Sequence, residues 1–255
     1  MLSRIIRFLK NKFYFRLIID TNPVFSGSKK IIKNKLNYKF YEKENLCRSI
    51  LFNFNKSDKK YNFLDLGGRD GKLYYLLSVE KNFIVNKNYT QDKLNFYRLY
   101  KYFAIDLKGY SKNNILSGDI CSLNFTKKFK SFQNKFDVIY SNNVFEHLKK
   151  PWVAAYNISK LLKKGGICIT IVPFSQRYHE SPVDCFRYTH KGLEYLFSNF
   201  MKFEIIAQGY DISGRRNNWN GDGHVNDYVP IDNFGAWRET WFTVFIFKKK
   251  SLIRN

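Results

Sequence analysis

Three short stretches end in acids that could hold a nucleoside-like ligand. "FLDLGGRDG" (63–71) sets Asp65, Gly67, Gly68 and Gly71 around Arg69, "AID" ends at Asp106, and "SGDI" carries Asp119 and Ile120. A carboxylate closing an apolar run can accept hydrogen bonds from both hydroxyls of a ribose. A glycine turn leading into a helix lets a ligand approach the backbone. These features alone would also describe a dinucleotide site. Arg69 argues against that reading, because it stands where a middle glycine would let a pyrophosphate touch the main chain.

A second group of residues could do acid–base or anion-binding chemistry. His147 follows Glu146 in "SNNVFEHL" (141–148), and His179, Asp184 and Arg187 crowd "QRYHESPVDCFRYTH" (176–190). Imidazoles titrate in the range a general base needs, so His147 and His179 are the catalytic candidates. Arginine's planar fork can grip a phosphate or carboxylate in two places, which makes Arg187 and Asp184 candidates for acceptor binding. The alternatives are that His147 caps a helix and that Arg187 and Asp184 only brace their loop. Cys47, Cys121, Cys168 and Cys185 are too widely spaced for a metal-binding pair or a disulfide framework. Reduced thiols and no metal ligands are therefore expected.

The elements that would position these residues alternate along the chain. Apolar runs at 61–66, 102–107, 114–120, 136–141, 167–172, 203–208 and 241–247 read as strands. Helices are expected after Gly71 with Asp70 as N-cap, within "TQDKLNFYRLYKY" (90–102), from Pro151 to the closing Lys163, Lys164 and Gly165, and over "HKGLEYLF" (190–197). In the last of these, Leu193, Leu196 and Phe197 face inward, and the polar residues before it form a lid. The alternation predicts an α/β fold, a doubly wound, mainly parallel seven-stranded sheet with helices on both faces. Residues 61–255 make this domain, and residues 1–60 a basic amphipathic, helical extension.

In that extension Leu2, Ile6, Leu9 and Phe13 can share a helical face between Arg4, Arg7, Lys10 and Arg16. It reads as a helix packed on the domain or lying on an anionic membrane surface. No apolar run approaches the roughly 20 residues of a spanning helix, and the N-terminus lacks a signal-type apolar core. The expected location is cytoplasmic, with the inner face of the membrane as the alternative. The formal net charge of +23 invites a nucleic-acid partner. The lysines are scattered, however, and Lys, Asn, Ile, Phe and Tyr are enriched together, so the charge is read as compositional.

The ordered set D-x-G-x-R-x-G, "AID", "SGDI", "FDVIYSNNVFEHL" and "LLKKGG" before an apolar strand resembles the class I S-adenosylmethionine-dependent methyltransferases. The likeness covers about residues 61–172 and continues more loosely to 247. It implies S-adenosylmethionine as cofactor, with Asp65, Gly67, Gly68 and Gly71 near the methionine part and Asn142 beside the methionyl end. It further implies Asp106 at the ribose, and Asp119 and Ile120 at the adenine. This cofactor has no phosphate, so Arg69 is tolerated and could pair with the methionine carboxylate. Residues 172–197 resemble methyltransferase domains linked to bacterial cell-surface glycans and related small molecules. The implied activity is methyl transfer to O or N of a small-molecule or glycan acceptor. The alternatives are an RNA-directed enzyme and a non-catalytic binding protein. Nucleic acid is disfavoured because neither an Asn/Asp-Pro-Pro-aromatic stretch nor a Pro-Cys dipeptide is present. Oligomeric state is not specified by any of these patterns.

Overall fold

Strands that are apolar at nearly every position must be covered on both faces, and the centre of the molecule is built that way. The computed structural model describes residues 39–41, 43–53, 60–68, 89–107, 115–176, 178–180, 182–211 and 241–253. The chain divides into two units, residues 1–39 and 40–255, and the second carries the core and the site. Arg69, Asp70, Gly71, the helix expected after them and the N-terminal amphipathic segment lie outside the described residues.

In chain order the elements are β1 (Lys39–Tyr41), α1 (Lys43–Phe52), β2 (Tyr61–Leu66), α2 (Tyr89–Leu99), β3 (Tyr100–Asp106) and β4 (Ile115–Ser117). There follow α3 (Phe125–Lys128), β5 (Phe136–Asn142), α4 (Pro151–Leu161), β6 (Leu162–Ser175), α5 (His190–Ser198), β7 (Met201–Asp211) and β8 (Trp241–Leu252). The sheet order is β1-β7-β8-β6-β5-β2-β3-β4. The seven predicted strands are all present, and β1 adds a short eighth at one edge. Strands β4, β3, β2, β5 and β6 run parallel, while β8 is antiparallel to both β6 and β7. Chain order reverses between β2 and β5, since β3 and β4 lie on one side and β6 on the other.

Alternate residues of each central strand enter different cores. Leu64, Ile139, Cys168 and Phe245 join one, which is sealed by Ala154, Ile158 and Leu161 of α4 and by Leu193 and Phe197 of α5. Phe63, Val138, Ile169 and Val244 join the other, under Cys47 and Leu51 of α1 and Phe96 of α2. Each Val, Leu, Ile or Phe among them contributes about 1.5–3 kcal/mol by leaving water. The burial of Cys47 and Leu51 makes residues 43–52 part of this domain's core.

Helix α4 ends earlier than the sequence pattern suggests. Leu162 is fully buried and already extended, and β6 starts there. The register between β5 and β6 jumps from Phe136↔Leu162 to Val138↔Ile167, so Lys163 to Gly166 form an irregularity in the strand. Gly165 takes φ +80° inside it, a conformation that glycine adopts without penalty. Lys163 reaches Asp137 of β5 at 2.7 and 2.9 Å and plays no part in closing the helix. The carbonyls at the helix end are served instead by Lys249 of β8, which donates to Ser159 O (2.7 Å) and Leu162 O (2.5 Å).

Candidate active site

The crevice beyond the carboxyl ends of parallel strands, at the point where strand order reverses, is where open α/β sheets bind ligands. Here that point lies between β2 and β5. The register aligns the strand ends: Leu66 pairs with Ile105 and with Ser141, and Asp106 pairs with Ser117. Two further amides extend the ladders past the strands, Gly67 N to Ile105 O and Gly118 N to Asp106 O, both 2.9 Å. Asp65, Gly67, Gly68, Asp106, Asp119, Ile120 and Asn142 are thus brought to one edge.

The turn after β2 has no room for side chains. Gly67 sits at φ +73°, and a Cβ there would fall 2.5 Å from Val144 Cγ2. A Cβ on Gly68 would fall 2.8 Å from Ala104 Cβ and 3.1 Å from both Asp65 Oδ2 and Tyr102 Oη. Asp65 is buried, and the Tyr102 hydroxyl donates to its Oδ2 at 2.9 Å. The two glycines therefore let the main chain pass closely between β3 and the segment after β5.

Asp106 is half-buried at the end of β3. Asp119 is exposed, and its Oδ1 accepts the Cys121 amide at 2.8 Å, a local turn contact that orients the carboxylate. Ile120 is buried beneath this turn, and Asn157 of α4 holds the Ile120 and Ser122 carbonyls at 2.8 and 3.0 Å. Phe125 and Phe129 lie directly under Gly118. At the end of β5, Ser141 Oγ, Asn142 Oδ1 and Asn143 Oδ1 are buried without a hydrogen-bond partner. Asn143 is held at φ +54°, a left-handed conformation that Asn tolerates better than most residues. Buried polar atoms of this kind are met in folded proteins by water, an ion or a ligand, or serve a catalytic role. The ammonium group of S-adenosylmethionine would supply donors for the Asn142 acceptor, so the residues present fit the implied cofactor.

Beyond Asn143 the chain makes a short 3₁₀ turn, Phe145–His147, that carries a second constellation. The Glu146 side chain is completely buried, and neither carboxylate oxygen has a hydrogen-bond partner beyond its own residue. Burial pushes its carboxyl up to about 8. The Glu146 carbonyl accepts the amides of Cys185 and Phe186 at 2.7 and 3.1 Å, which fastens the 176–189 loop to the turn. His147 Nδ1 lies 2.5 Å from Val183 O, so this nitrogen carries the proton and Nε2 the lone pair. His147 Nε2 is 3.6 Å from Glu146 Oε1. Burial holds the His147 imidazole below its ordinary value. The His179 ring meets that of His147 edge-on, with centroids 5.1 Å apart.

Arg187 grips Asp184 with both terminal nitrogens, at 2.5 and 2.7 Å, and donates to Gln176 O and Phe186 O as well. Asp184 Oδ2 also takes the His179 amide at 2.8 Å. Burial alone would raise the Asp184 carboxyl, but the Arg187 and His179 hydrogen bonds override it and hold it below its ordinary value. In this arrangement the pair braces the loop that presents His179. The fork expected to grip an acceptor is turned toward Asp184.

Two residues go beyond the sequence-based set. Tyr102 orients Asp65, and its signal was register, since Phe63 pairs with Tyr102 across β2 and β3. In the sequence Glu146 is only the neighbour of His147; its burial depends on residues about forty positions downstream. Among the described residues, no helix is long and apolar enough to cross a membrane.

A family model described as methyltransferase domain matches residues 38–202. No curated protein matches the chain in sequence. Among solved structures, the chain is similar to the complex between the Haloferax volcanii Trm112 methyltransferase activator and a protein assigned as a methyltransferase. That similarity has 14% identity over 84% of this chain and 91% of that one, with a TM-score of 0.50. It is also similar to the YcgJ protein of Bacillus subtilis (12% identity, 81% and 99% coverage, TM-score 0.48). A third is Burkholderia thailandensis 1,6-didemethyltoxoflavin-N1-methyltransferase with bound S-adenosylhomocysteine (14% identity, 82% and 78% coverage, TM-score 0.47).

Proposed function

The chain belongs to the methyltransferase-domain family as an S-adenosylmethionine-dependent enzyme, and we propose that it methylates a hydroxyl of a small-molecule or glycan acceptor. S-adenosylmethionine supplies the methyl group as an electrophile carried on a sulfonium. Gly67 and Gly68 give the backbone surface for its methionine part, and Asn142 an acceptor for its ammonium group. Asp106 takes the ribose hydroxyls, and Asp119 with Ile120 borders the adenine.

One observation carries the choice of a hydroxyl. Two imidazoles and a buried carboxyl meet at the end of β5, joined to the glycine turn through Val144. An amine can react as its free base, whereas a hydroxyl must be polarised or lose its proton before it becomes a competent nucleophile. His147 and His179 are the groups that can do this. Alignment of the acceptor and exclusion of water provide most of the remaining acceleration, and the loop braced by Asp184 and Arg187 serves both.

Methyl transfer should be measured against nucleotide sugars, glycan intermediates and small phenols, with transfer RNA included. Product methylated at oxygen, lost on His179→Ala with S-adenosylhomocysteine affinity retained, is the expected result. Transfer to RNA alone, or to nitrogen with His179→Ala fully active, would contradict the proposal.

A further inference from the structure

We propose that Glu146, His147 and His179 form a binding site for a divalent first-row metal ion, which holds and activates the acceptor hydroxyl. This rests on the reading of the same cluster as the acceptor site, and it replaces the sequence-based expectation that no metal is bound. One ligand atom from each of the three residues lies within 4.8 Å of the other two. Ligands at about 2.0–2.2 Å from a common ion sit roughly 3–4 Å apart, so small side-chain rotations close the set.

Three features distinguish this cluster from a chance meeting of polar groups. First, Glu146 is completely buried, yet neither of its oxygens has a hydrogen-bond partner beyond its own residue. A buried carboxyl stays protonated unless it is paired or bound to metal, so a cation here is what would ionise Glu146. Second, His147 is prepared as a ligand: Nδ1 donates to Val183 O, which leaves the Nε2 lone pair near Glu146 Oε1. A backbone carbonyl in that position fixes tautomer and ring orientation in metal-binding histidines. Third, His179 stands on a loop that Asp184 holds through the His179 amide while Arg187 holds Asp184. The charges of Asp184 and Arg187 cancel, so the carboxylate left to balance a cation is Glu146.

Two imidazoles with one carboxylate suit zinc, iron or cobalt better than magnesium, manganese or calcium. Three protein ligands leave coordination positions open, as in catalytic sites. A hydroxyl bound in an open position loses its proton to water more readily. The histidines then act by holding the ion and need not take the proton themselves.

Cobalt(II) is the probe of choice, because its visible spectrum separates imidazole and carboxylate ligation from ligation by exposed Cys185. The full-length protein should take up one equivalent with no thiolate charge-transfer band. Glu146→Gln and His179→Ala should each weaken uptake at least 10- to 100-fold, the loss that even a supporting group causes. Glu180→Gln, which changes an exposed acid nearby, should leave it unchanged. S-adenosylhomocysteine affinity, measured in every variant, reports an intact fold. Its absence in the wild type would contradict the methyltransferase reading, whatever the cobalt result. No uptake, a thiolate band, or uptake that survives Glu146→Gln would overturn the metal site.

Discussion

The two halves of the site are built from different materials. Around β2, β3 and β4 the surface is mostly main chain: two glycines without room for a Cβ, amides that extend the strand ladders, and acids at strand ends. Beyond β5 and β6 it is a network of side chains, in which Glu146, His147, His179, Asp184 and Arg187 depend on one another. The first half is suited to one invariant ligand, because backbone geometry is fixed by the sheet. The second sits on a turn and a loop, so its chemistry can change without disturbing the fold. Loss of cofactor affinity and loss of acceptor turnover should therefore be separable by mutation.

The largest effect is expected from Gly68→Ala. Its Cβ would fall 2.8 Å from the Cβ of Ala104, a rigid neighbour. Overpacking of this kind costs about 1–3 kcal/mol of folding stability, and it pushes the turn out of the geometry proposed to meet the ligand. Tm should fall by about 2–12 °C and S-adenosylhomocysteine should bind more weakly in calorimetry; unchanged affinity would break the main-chain account of this half. Arg187→Lys strikes the other half. Lysine keeps the charge but loses the two-pronged grip on Asp184, and about 1.5–3 kcal/mol rides on hydrogen bonds to a charged group. At about 2–4 °C per kcal/mol for a chain of this size, a thermal scan should show a lower Tm, with acceptor turnover falling in step and cofactor affinity intact. A large fall in kcat/KM with Tm unchanged would instead make Arg187 a direct acceptor ligand.

Lys249 lies outside both halves and tests whether stability can change without either function. Burial lowers its ammonium to about 8, below its ordinary value. Between about pH 8 and the ordinary lysine range the unfolded chain holds the proton more tightly than the folded one, so folding stability from this group rises with pH. Lys249→Met should abolish that slope in denaturant titrations and lower stability at every pH, because Ser159 O and Leu162 O lose their donor. A variant with the same pH slope as wild type would contradict the assignment. The smallest effect concerns the net charge. RNA should bind weakly, with affinity falling steeply as salt rises, as non-specific phosphate contacts do. Tight, sequence-selective binding at physiological salt would give the basic surface a function.

The strand-end half was legible in the sequence, as a set of residues brought together, because its signals are local. Asp65 and Gly67 adjoin a single strand, Asp106 ends the next, and a parallel sheet aligns such ends wherever the strands are read correctly. The half beyond β5 and β6 was legible only as a set of residue types. Nothing near Glu146 in the chain says that Cys185 and Phe186 will cover it, and Arg187 could have faced a ligand or Asp184 with equal chemical sense. The end of α4 was misplaced for a related reason. Lys163, Lys164 and Gly165 have the composition of a helix terminus, but Leu162 is buried in the sheet and Asp137 of β5 offers Lys163 a partner. Tertiary contacts overrode local preference there.

The central claim is that the cofactor lies across the ends of β2, β3 and β4, with Asp106 holding its ribose. Calorimetric titration of S-adenosylhomocysteine into the wild type and Asp106→Ala tests it most directly. The wild type should bind one equivalent. The variant should bind about 1.5–3 kcal/mol more weakly, the range for hydrogen bonds to a charged group. Equal affinity in the two proteins would contradict the placement.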